Sequence, residues 1–307
     1  MATNNWTITD IPDLTGKTVI VTGGNSGLGY ESVKAFALKG AQVIMACRSM
    51  LKGEEAKKQI IRFLPSADIS VMELDLTDLK SIRNFASNYK KNHQRLDVLL
   101  NNAGIMMVPY SLTKDGFESQ LGTNHLGPFA LTGLLLGVLK NTPKSRVVNV
   151  SSMAHSTGEM DFNNLLYENG KDYSSMKAYS RSKLSNLLFT YELQRFFEKN
   201  NINSIALAAH PGFSNTNLVN HLMKKWYFRL LKPLFFKMAQ SASRGALPLL
   251  RASVDPGAKA SEFYGPNGKR QMTGYPVIVQ PKPKAFDKEN ARKLWEVSEK
   301  LTSVIYS

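Results

Sequence analysis

Between residue 17 and about residue 210, short apolar runs alternate with longer amphipathic stretches. The apolar runs at 18–21, 42–46, 69–74, 98–100, 147–150 and 204–208 lack the in–out alternation of a half-exposed strand, so they read as strands buried on both faces. The stretches between them, 27–39, 51–63, 78–92, 115–141 and 177–199, carry apolar residues at helical spacing. This order predicts an α/β fold, a doubly wound parallel sheet with helices on both faces. Ligands of such sheets lie beyond the carboxyl ends of the strands, where the strand order reverses.

Past Pro211 the alternation stops. Residues 217–239 are basic and aromatic, 241–253 are helical in pattern, and 255–284 are rich in glycine and proline. A last helix is expected from Asp287, a suitable N-cap, to about residue 301. Without a repeat, linker or low-complexity tract, the 307 residues read as a single domain, with 211–284 as a substrate-side lid or elaboration. A hydrophobic content of 43% supports a substantial core. The lone cysteine, Cys47, excludes an internal disulfide and fits a reducing compartment. Residues 1–13 are polar and carry no basic residue, unlike a signal peptide. The apolar run 129–139 is too short to span a membrane, so a cytoplasmic chain with no transmembrane segment is expected.

A formal charge of +15 raises the question of nucleic acid or an anionic surface. The basic residues are scattered, with local concentration only at 224–237 and 282–284, and neither zinc-ligand spacing nor an RNA-binding aromatic motif accompanies them. Nucleic acid is therefore not an expected partner. A solvated basic surface and a pocket for a phosphorylated cofactor account for the charge more simply.

The sequence TGGNSGLG at 22–29 joins the first strand to the first helix. Glycines there permit a tight turn and bring main-chain amides close to a pyrophosphate at a helix N-terminus. The second strand ends Ala46-Cys47-Arg48, with Lys52 one turn later and no acid before Glu54. A carboxylate at that point would bind a ribose 2′-hydroxyl, whereas Arg48 can fork onto a 2′-phosphate, which favours NADP(H) over NAD(H). Tyr-x-x-x-Lys occurs four times, at Tyr30, Tyr167, Tyr173 and Tyr179, so the spacing alone decides nothing. Tyr179 and Lys183 share a long helical run and face each other one turn apart. There the ammonium is expected to lower the phenol's pKa from its usual value near 10 and allow proton transfer with a carbonyl or alcohol oxygen. Tyr173, whose pair straddles a helix start, is the competing candidate. Ser152, after the fifth strand, can donate to a reacting carbonyl oxygen, or it can simply cap a turn. Asn124, inside the expected helix 115–141, is placed to distort that helix and bind water. No metal site is expected.

In this order and spacing the motifs resemble the short-chain dehydrogenase/reductase family over nearly the whole chain. The residues that carry the likeness are TGGNSGLG at 22–29, Asp75-Leu76, NNAG at 101–104, Asn124, Val150-Ser151-Ser152, Tyr179 with Lys183, and Pro211-Gly212 followed by Thr216. The resemblance implies a Rossmann sheet of about seven strands and a catalytic set of Asn124, Ser152, Tyr179 and Lys183. It implies cofactor contacts from Gly23, Asn25, Ser26, Gly27, Leu28, Gly29, Arg48, Lys52, Asp75, Leu76, Asn102, Ala103, Gly104, Pro211, Gly212 and Thr216. Asp75 would meet the adenine, Asn102 the adenosine ribose and Lys183 the nicotinamide ribose, while Asn124 would hold a water in a proton relay. Ser182 and Asn186 fit the family pattern around Lys183 and favour Tyr179 over Tyr173.

Ala46-Cys47-Arg48, Ser151-Ser152-Met153-Ala154-His155 and His210-Pro211-Gly212 are similar to the retinol dehydrogenase branch, and 292–301 is similar to protochlorophyllide reductases. Two departures stand out. No membrane-anchoring N-terminal helix of the animal retinol dehydrogenase kind is expected, and Ser152 lies 27 residues before Tyr179, so 153–176 reads as an insertion. That insertion either covers the site or blocks a familiar interface between subunits, which leaves the oligomeric state open.

Met106, Met107, Phe213 and Trp226 are candidates for an apolar, adaptable substrate wall. The cationic, apolar stretch 221–231 reads as a lid helix, as ordinary packing with lysines reaching water, or as a membrane-surface contact. The expected activity is an NADP(H)-dependent carbonyl reductase or alcohol dehydrogenase acting on a hydrophobic small molecule. The alternative is a non-catalytic dinucleotide sensor or partner-binding protein on the same fold, whose sign would be a damaged Ser/Tyr/Lys set.

Overall fold

The computed structural model describes residues 5–214 and 239–307. Seven strands run parallel: β1 (Thr18–Thr22), β2 (Gln42–Cys47), β3 (Ile69–Glu73), β4 (Val98–Asn101), β5 (Ser145–Val150), β6 (Ser204–Ala209) and β7 (Phe263–Pro266). An eighth, β8 (Pro276–Ile278), returns antiparallel along β7. The sheet order is β3-β2-β1-β4-β5-β6-β7-β8, so the winding reverses between β1 and β4. There the glycine turn after β1 and the NNAG turn after β4 come side by side, which is where such sheets bind ligands.

Helices cover both faces. They are α1 (Gly27–Leu38), α2 (Met50–Phe63), α3 (Leu79–Asn92), α4 (Ser119–Leu121), α5 (Gly127–Leu134), α6 (Leu136–Lys140), α7 (Ser175–Lys199), α8 (Ala242–Val254) and α9 (Lys288–Thr302). Val19 and Val21 of β1 join Phe36, Val43, Leu249 and Leu250 in one core layer. Ile20 joins Ile44, Leu99, Phe85 and Phe129 in the other. Successive strand residues point to opposite faces, and both faces are covered, so every residue of β1 is apolar or a buried threonine. Gly53 lets α2 approach the sheet: a Cβ there would lie 2.5 Å from Val71 Cγ1 and 2.7 Å from Cys47 Sγ.

Two expectations need correction. Among the described residues the sheet has eight strands, where the resemblance implies about seven, and its last two lie inside 255–284, so part of that stretch belongs to the sheet. Strands of four and three residues give almost no periodicity, and Pro276 is tolerated because β8 is at the sheet edge. The helix expected over 115–141 is four pieces. It begins at Ser119, loosens into a π-helical segment at Gly122–Leu126, resumes at Gly127 and breaks again at Leu135. Ahead of it, 111–118 forms a short hairpin with a bridge between Leu112 and Glu118. Asp287 does cap the last helix, accepting from Asn290 N.

Asp97 ties the start of β4 to β1. Its carboxylate accepts from Thr18 N (3.0 Å) and from Arg95 Nε and Nη2 (both 2.7 Å), with Lys17 Nζ at 3.2 Å. Burial pushes its pKa up, but Arg95, the Thr18 amide and Lys17 together outweigh burial and hold it below the usual carboxylate range. Asp97→Ala should lower unfolding free energy by about 1–3 kcal/mol at neutral pH. Because the folded pKa is depressed, the charge-dependent part is fully present above about pH 4 and fades as pH falls through the folded value. Urea titrations at pH 7 and pH 3 check this; a gap unchanged between them would remove the carboxylate's charge from the account.

Candidate active site

Gly23 (φ 67°) and Gly27 (φ 56°) take left-handed conformations that make the turn after β1. A Cβ on Gly29 would collide with the Gly23 carbonyl oxygen and lie 2.7 Å from Asn102 Nδ2, so the turn folds tightly onto the first turn of α1. Ser26 is the N-cap but gives no side-chain hydrogen bond to that turn. Its amides therefore face outward without a capping hydroxyl, as an anion site requires. The turn is braced from β4: Asn102 Nδ2 donates to Thr22 O (2.8 Å), and Thr22 Oγ1 accepts from the amides of Asn102 (3.0 Å) and Ala103 (2.9 Å).

Beside this turn lies a cleft of about 470 Å³. Gly23, Asn25, Arg48, Asp75, Leu76, Ala103 and Gly104 line it, as the sequence implied. Lys52 does not; it is exposed on α2, and its amide donates to the Ser49 cap. The opposite wall, Ser111 to Lys114 with Ser119 and Thr123, was not foreseen, because a hairpin this short has no period to read. This wall is stitched to the turn after β3. Lys114 N donates to Thr77 O (3.0 Å), Lys114 Nζ to Asp78 Oδ2 (2.8 Å), and Leu79 N to Asp115 Oδ2 (2.8 Å). Thr123 lines the cleft, and its hydroxyl is buried without a hydrogen-bond partner.

At the end of β5, Ser151 Oγ donates to Lys183 O (2.8 Å), fastening the strand to α7. Ser152 caps the following 3₁₀ turn, accepting from Ala154 N at 3.2 Å, and its hydroxyl lies near enough to the Tyr179 phenol to favour the phenolate. Lys183 Nζ donates to Val150 O (3.0 Å) and sits 5.7 Å from the centre of the Tyr179 ring. A Cβ on Gly104 would lie 2.9 Å from Asn124 Oδ1 and 3.5 Å from Lys183 Nζ, so the NNAG turn, Asn124 and Lys183 converge. Asn124 behaves like a strand partner. Its Oδ1 accepts from Ile105 N (2.8 Å) and its Nδ2 donates to Ile105 O and Ser182 Oγ (both 2.9 Å). The helix does deform at Asn124, but both amide protons are engaged, which leaves a water only an acceptor position there.

Burial governs both titratable groups. It pushes the Lys183 ammonium down to about 8. It pushes the Tyr179 phenol up to about 12, with the nearby Ser152 hydroxyl acting in the opposite sense. The expectation that Lys183 lowers the phenol's pKa is therefore corrected: in the protein by itself, desolvation of the phenolate wins.

Tyr173 precedes α7, and its hydroxyl donates to Val108 O (2.8 Å) and accepts from Gln120 Nε2 (2.9 Å). Gln120 is fully buried and accepts from Met107 N (2.7 Å), holding that residue at φ 51°. Gln120 was not singled out in the sequence, yet it joins the half-buried Met106 and Met107 to the 153–176 insertion. The insertion itself wraps Arg181 of α7, whose guanidinium donates to Glu159 O, Asn164 O and Leu165 O. Pro211 and Gly212 form a turn (Gly212 φ 64°), and Phe213 N donates to Met272 O at 2.6 Å. Thr216 and Trp226 lie outside the described residues. Among the described residues no cluster of three His, Cys, Asp or Glu side chains could hold a metal, and no helix is long and apolar enough to cross a membrane.

The pattern of the short chain dehydrogenase family matches residues 17–226. The chain belongs to that family. This dehydrogenase lies in its retinol dehydrogenase branch. It is 40% identical over 304 residues to retinol dehydrogenase 14 of Mus musculus, covering 94% of this chain and 87% of that protein. To retinol dehydrogenase 12 of Homo sapiens it is 41% identical over 292 residues, covering 95% and 88%. A crystal structure of an uncharacterised protein from Mycobacterium Paratuberculosis is 42% identical, with a TM-score of 0.82 over 99% of this chain and all of that one. The Pseudomonas aeruginosa RhlG/NADP complex, at 19% identity and a TM-score of 0.64 over 81% and 93% of the two chains, shares the fold.

A buried lysine has a measurable consequence for stability. The unfolded chain keeps the Lys183 proton up to about pH 10.5, whereas the folded chain releases it near 8. Lys183 therefore destabilises the fold below about pH 8, and the penalty fades as pH rises towards 10.5. Val150 O keeps a second donor, Asn186 Nδ2 at 3.0 Å, when the lysine is removed. Lys183→Met should be more stable than the parent at pH 7, by on the order of 2 kcal/mol, with the gap closing near pH 10.5. Urea unfolding at both pH values measures it; a less stable Met variant at pH 7 would show that the ammonium is not desolvated.

Proposed function

We propose that this dehydrogenase is an NADP(H)-dependent oxidoreductase that interconverts carbonyl and alcohol on a hydrophobic, retinoid-like small molecule. One observation carries the reading: Ser152, Tyr179 and Lys183 meet at the carboxyl edge of the sheet, beside a cleft shaped for a dinucleotide. The cleft's fit rests on the close glycine turn, the uncapped first turn of α1 and the orphan Thr123 hydroxyl. In this reading Gly23, Asn25 and the first turn of α1 hold the pyrophosphate, Asp75 and Leu76 the adenine, and Lys183 the nicotinamide ribose. Bound there, the nicotinamide supplies or accepts hydride.

The Ser152 hydroxyl donates to the substrate oxygen and fixes its position next to Tyr179. The Tyr179 phenol, pushed up to about 12, is protonated at neutral pH and can deliver its proton to that oxygen as an alcohol forms. Arg48 is exposed at the cleft with no carboxylate at the end of β2, which supports a phosphorylated ribose. The half-buried Met106, Met107 and Phe213 support an apolar substrate, as do relatives named for retinol. A cytoplasmic location is part of this proposal and follows from the same expectation of a chain that crosses no membrane.

With all-trans-retinal and NADPH, Tyr179→Phe should lower kcat by roughly 10²- to 10⁴-fold while NADPH affinity, read by nicotinamide fluorescence, is retained. Tyr173→Phe loses hydrogen bonds to Val108 and Gln120 and should act mainly on stability; a larger kcat loss there than at Tyr179 would exchange the two roles. Arg48→Asp should shift preference from NADPH towards NADH. Unchanged selectivity would show that another group reads the phosphate.

A further inference from the structure

His155 stands three residues beyond Ser152 and is 6% exposed. Its Nδ1 lies 2.6 Å from the Ser152 carbonyl oxygen and its Nε2 3.2 Å from the Lys282 amide nitrogen. A carbonyl can only accept and a main-chain amide can only donate, so these two neighbours dictate the tautomer. Nδ1 carries the proton and donates to Ser152, while the Nε2 lone pair accepts from Lys282. A charged ring would point an N–H at the Lys282 N–H. Burial disfavours that form most; the bond to the Ser152 carbonyl acts in the opposite sense, and the Lys282 and Lys284 ammonium groups side with burial, so the pKa falls below the usual imidazole value.

A second bond joins the same two segments, from Lys284 Nζ to Gly158 O (2.9 Å). The His155 ring packs edge-on against Phe263 of β7, with centroids 5.7 Å apart. On another side of Phe263, at 5.1 Å, lies His210, also buried. It takes the opposite tautomer: Gly212 N donates to its Nδ1 (3.2 Å), so Nε2 carries the proton and donates to Gln271 Oε1 (3.0 Å).

The Ser152 residue is thereby gripped at both ends. Its hydroxyl lies near Tyr179, and its carbonyl accepts both from the His155 amide (3.1 Å) and from a ring anchored to the C-terminal segment. Rotating that peptide would swing the hydroxyl away from the phenol. We propose that His155, as the neutral Nδ1–H tautomer, is a positioning residue that sets the Ser152 hydroxyl against Tyr179 by holding the Ser152 carbonyl from the 282–284 segment. The proposal rests on the reading of Ser152 given under the proposed function.

Two variants and one spectrum test it. His155→Phe keeps the ring and its contact with Phe263 but removes both nitrogens. His155→Asn offers an amide N–H near the Nδ1 position and so can still serve the Ser152 carbonyl. With all-trans-retinal and NADPH, the Phe variant should lose kcat roughly 10- to 100-fold, as a misplaced catalytic group does, with NADPH affinity and far-ultraviolet circular dichroism unchanged. The Asn variant should recover a large part of that loss. Long-range ¹H–¹⁵N spectra of the imidazoles at pH 7 should show a neutral Nδ1–H ring that disappears in His155→Phe. A folded Phe variant with the parent's kcat, an Asn variant no better than Phe, or an Nε2–H or charged ring in the parent would each overturn the proposal. The spectrum decides the tautomer whether or not retinal is turned over, so failure of the proposed reaction and failure of the His155 assignment are read separately.

Discussion

The junction between the end of β5 and helix α7 is the constraint on which the site depends. Val150 O accepts from both Lys183 Nζ and Asn186 Nδ2, and Ser151 Oγ returns a bond to Lys183 O. These groups are buried, where an unmade hydrogen bond costs the most, so the strand and the helix are held at one spacing. Ser152 leaves the strand directly beyond that junction, and Tyr179 sits one turn before Lys183 on the helix. Their meeting is a consequence of the junction, with the His155 amide and ring both holding the Ser152 carbonyl.

The same burial that holds the site in place also works against it. An ammonium and a phenol are carried out of water into the buried junction, and both shift towards their neutral forms. A stable core would place methionine and phenylalanine there. That polar groups stand in these positions is the mark of a site kept for chemistry, at some expense in stability.

The opposite wall of the cleft obeys a different rule. Residues 111–115 lie at the surface except for the buried Thr113, and they are joined to the turn after β3 by a main-chain bond from Lys114, by the Asp115 carboxylate that accepts from Leu79 N, and by a surface ion pair. An exposed ion pair contributes about 1 kcal/mol or less, so the wall's main-chain bonds carry more of its order than its charges do. Gln120 links it inward, joining Met107, Tyr173 and Ser175 through one buried amide. The insertion after Ser152 is thus tied to the same frame as the cleft.

Patterns that repeat over several residues were legible without coordinates. Strands buried on both faces leave continuous apolar runs, and helices leave a spacing of three and four, so β1 to β6 and most helices fall within a residue or two of expectation. The glycine turn, the NNAG turn and the Tyr179–Lys183 pair were also legible, because backbone conformation and helix geometry restrict which residues can stand there. What stayed hidden depends on partners distant in sequence. β7 and β8 are too short for a period and exist because β6 offers an edge. The π-helical segment forms where Asn124 bonds Ile105, nineteen residues away, and the His155 tautomer is set by an amide 127 residues further along the chain. Local pattern determines which element a segment prefers; only the folded chain brings together the donors and acceptors that decide a proton's position.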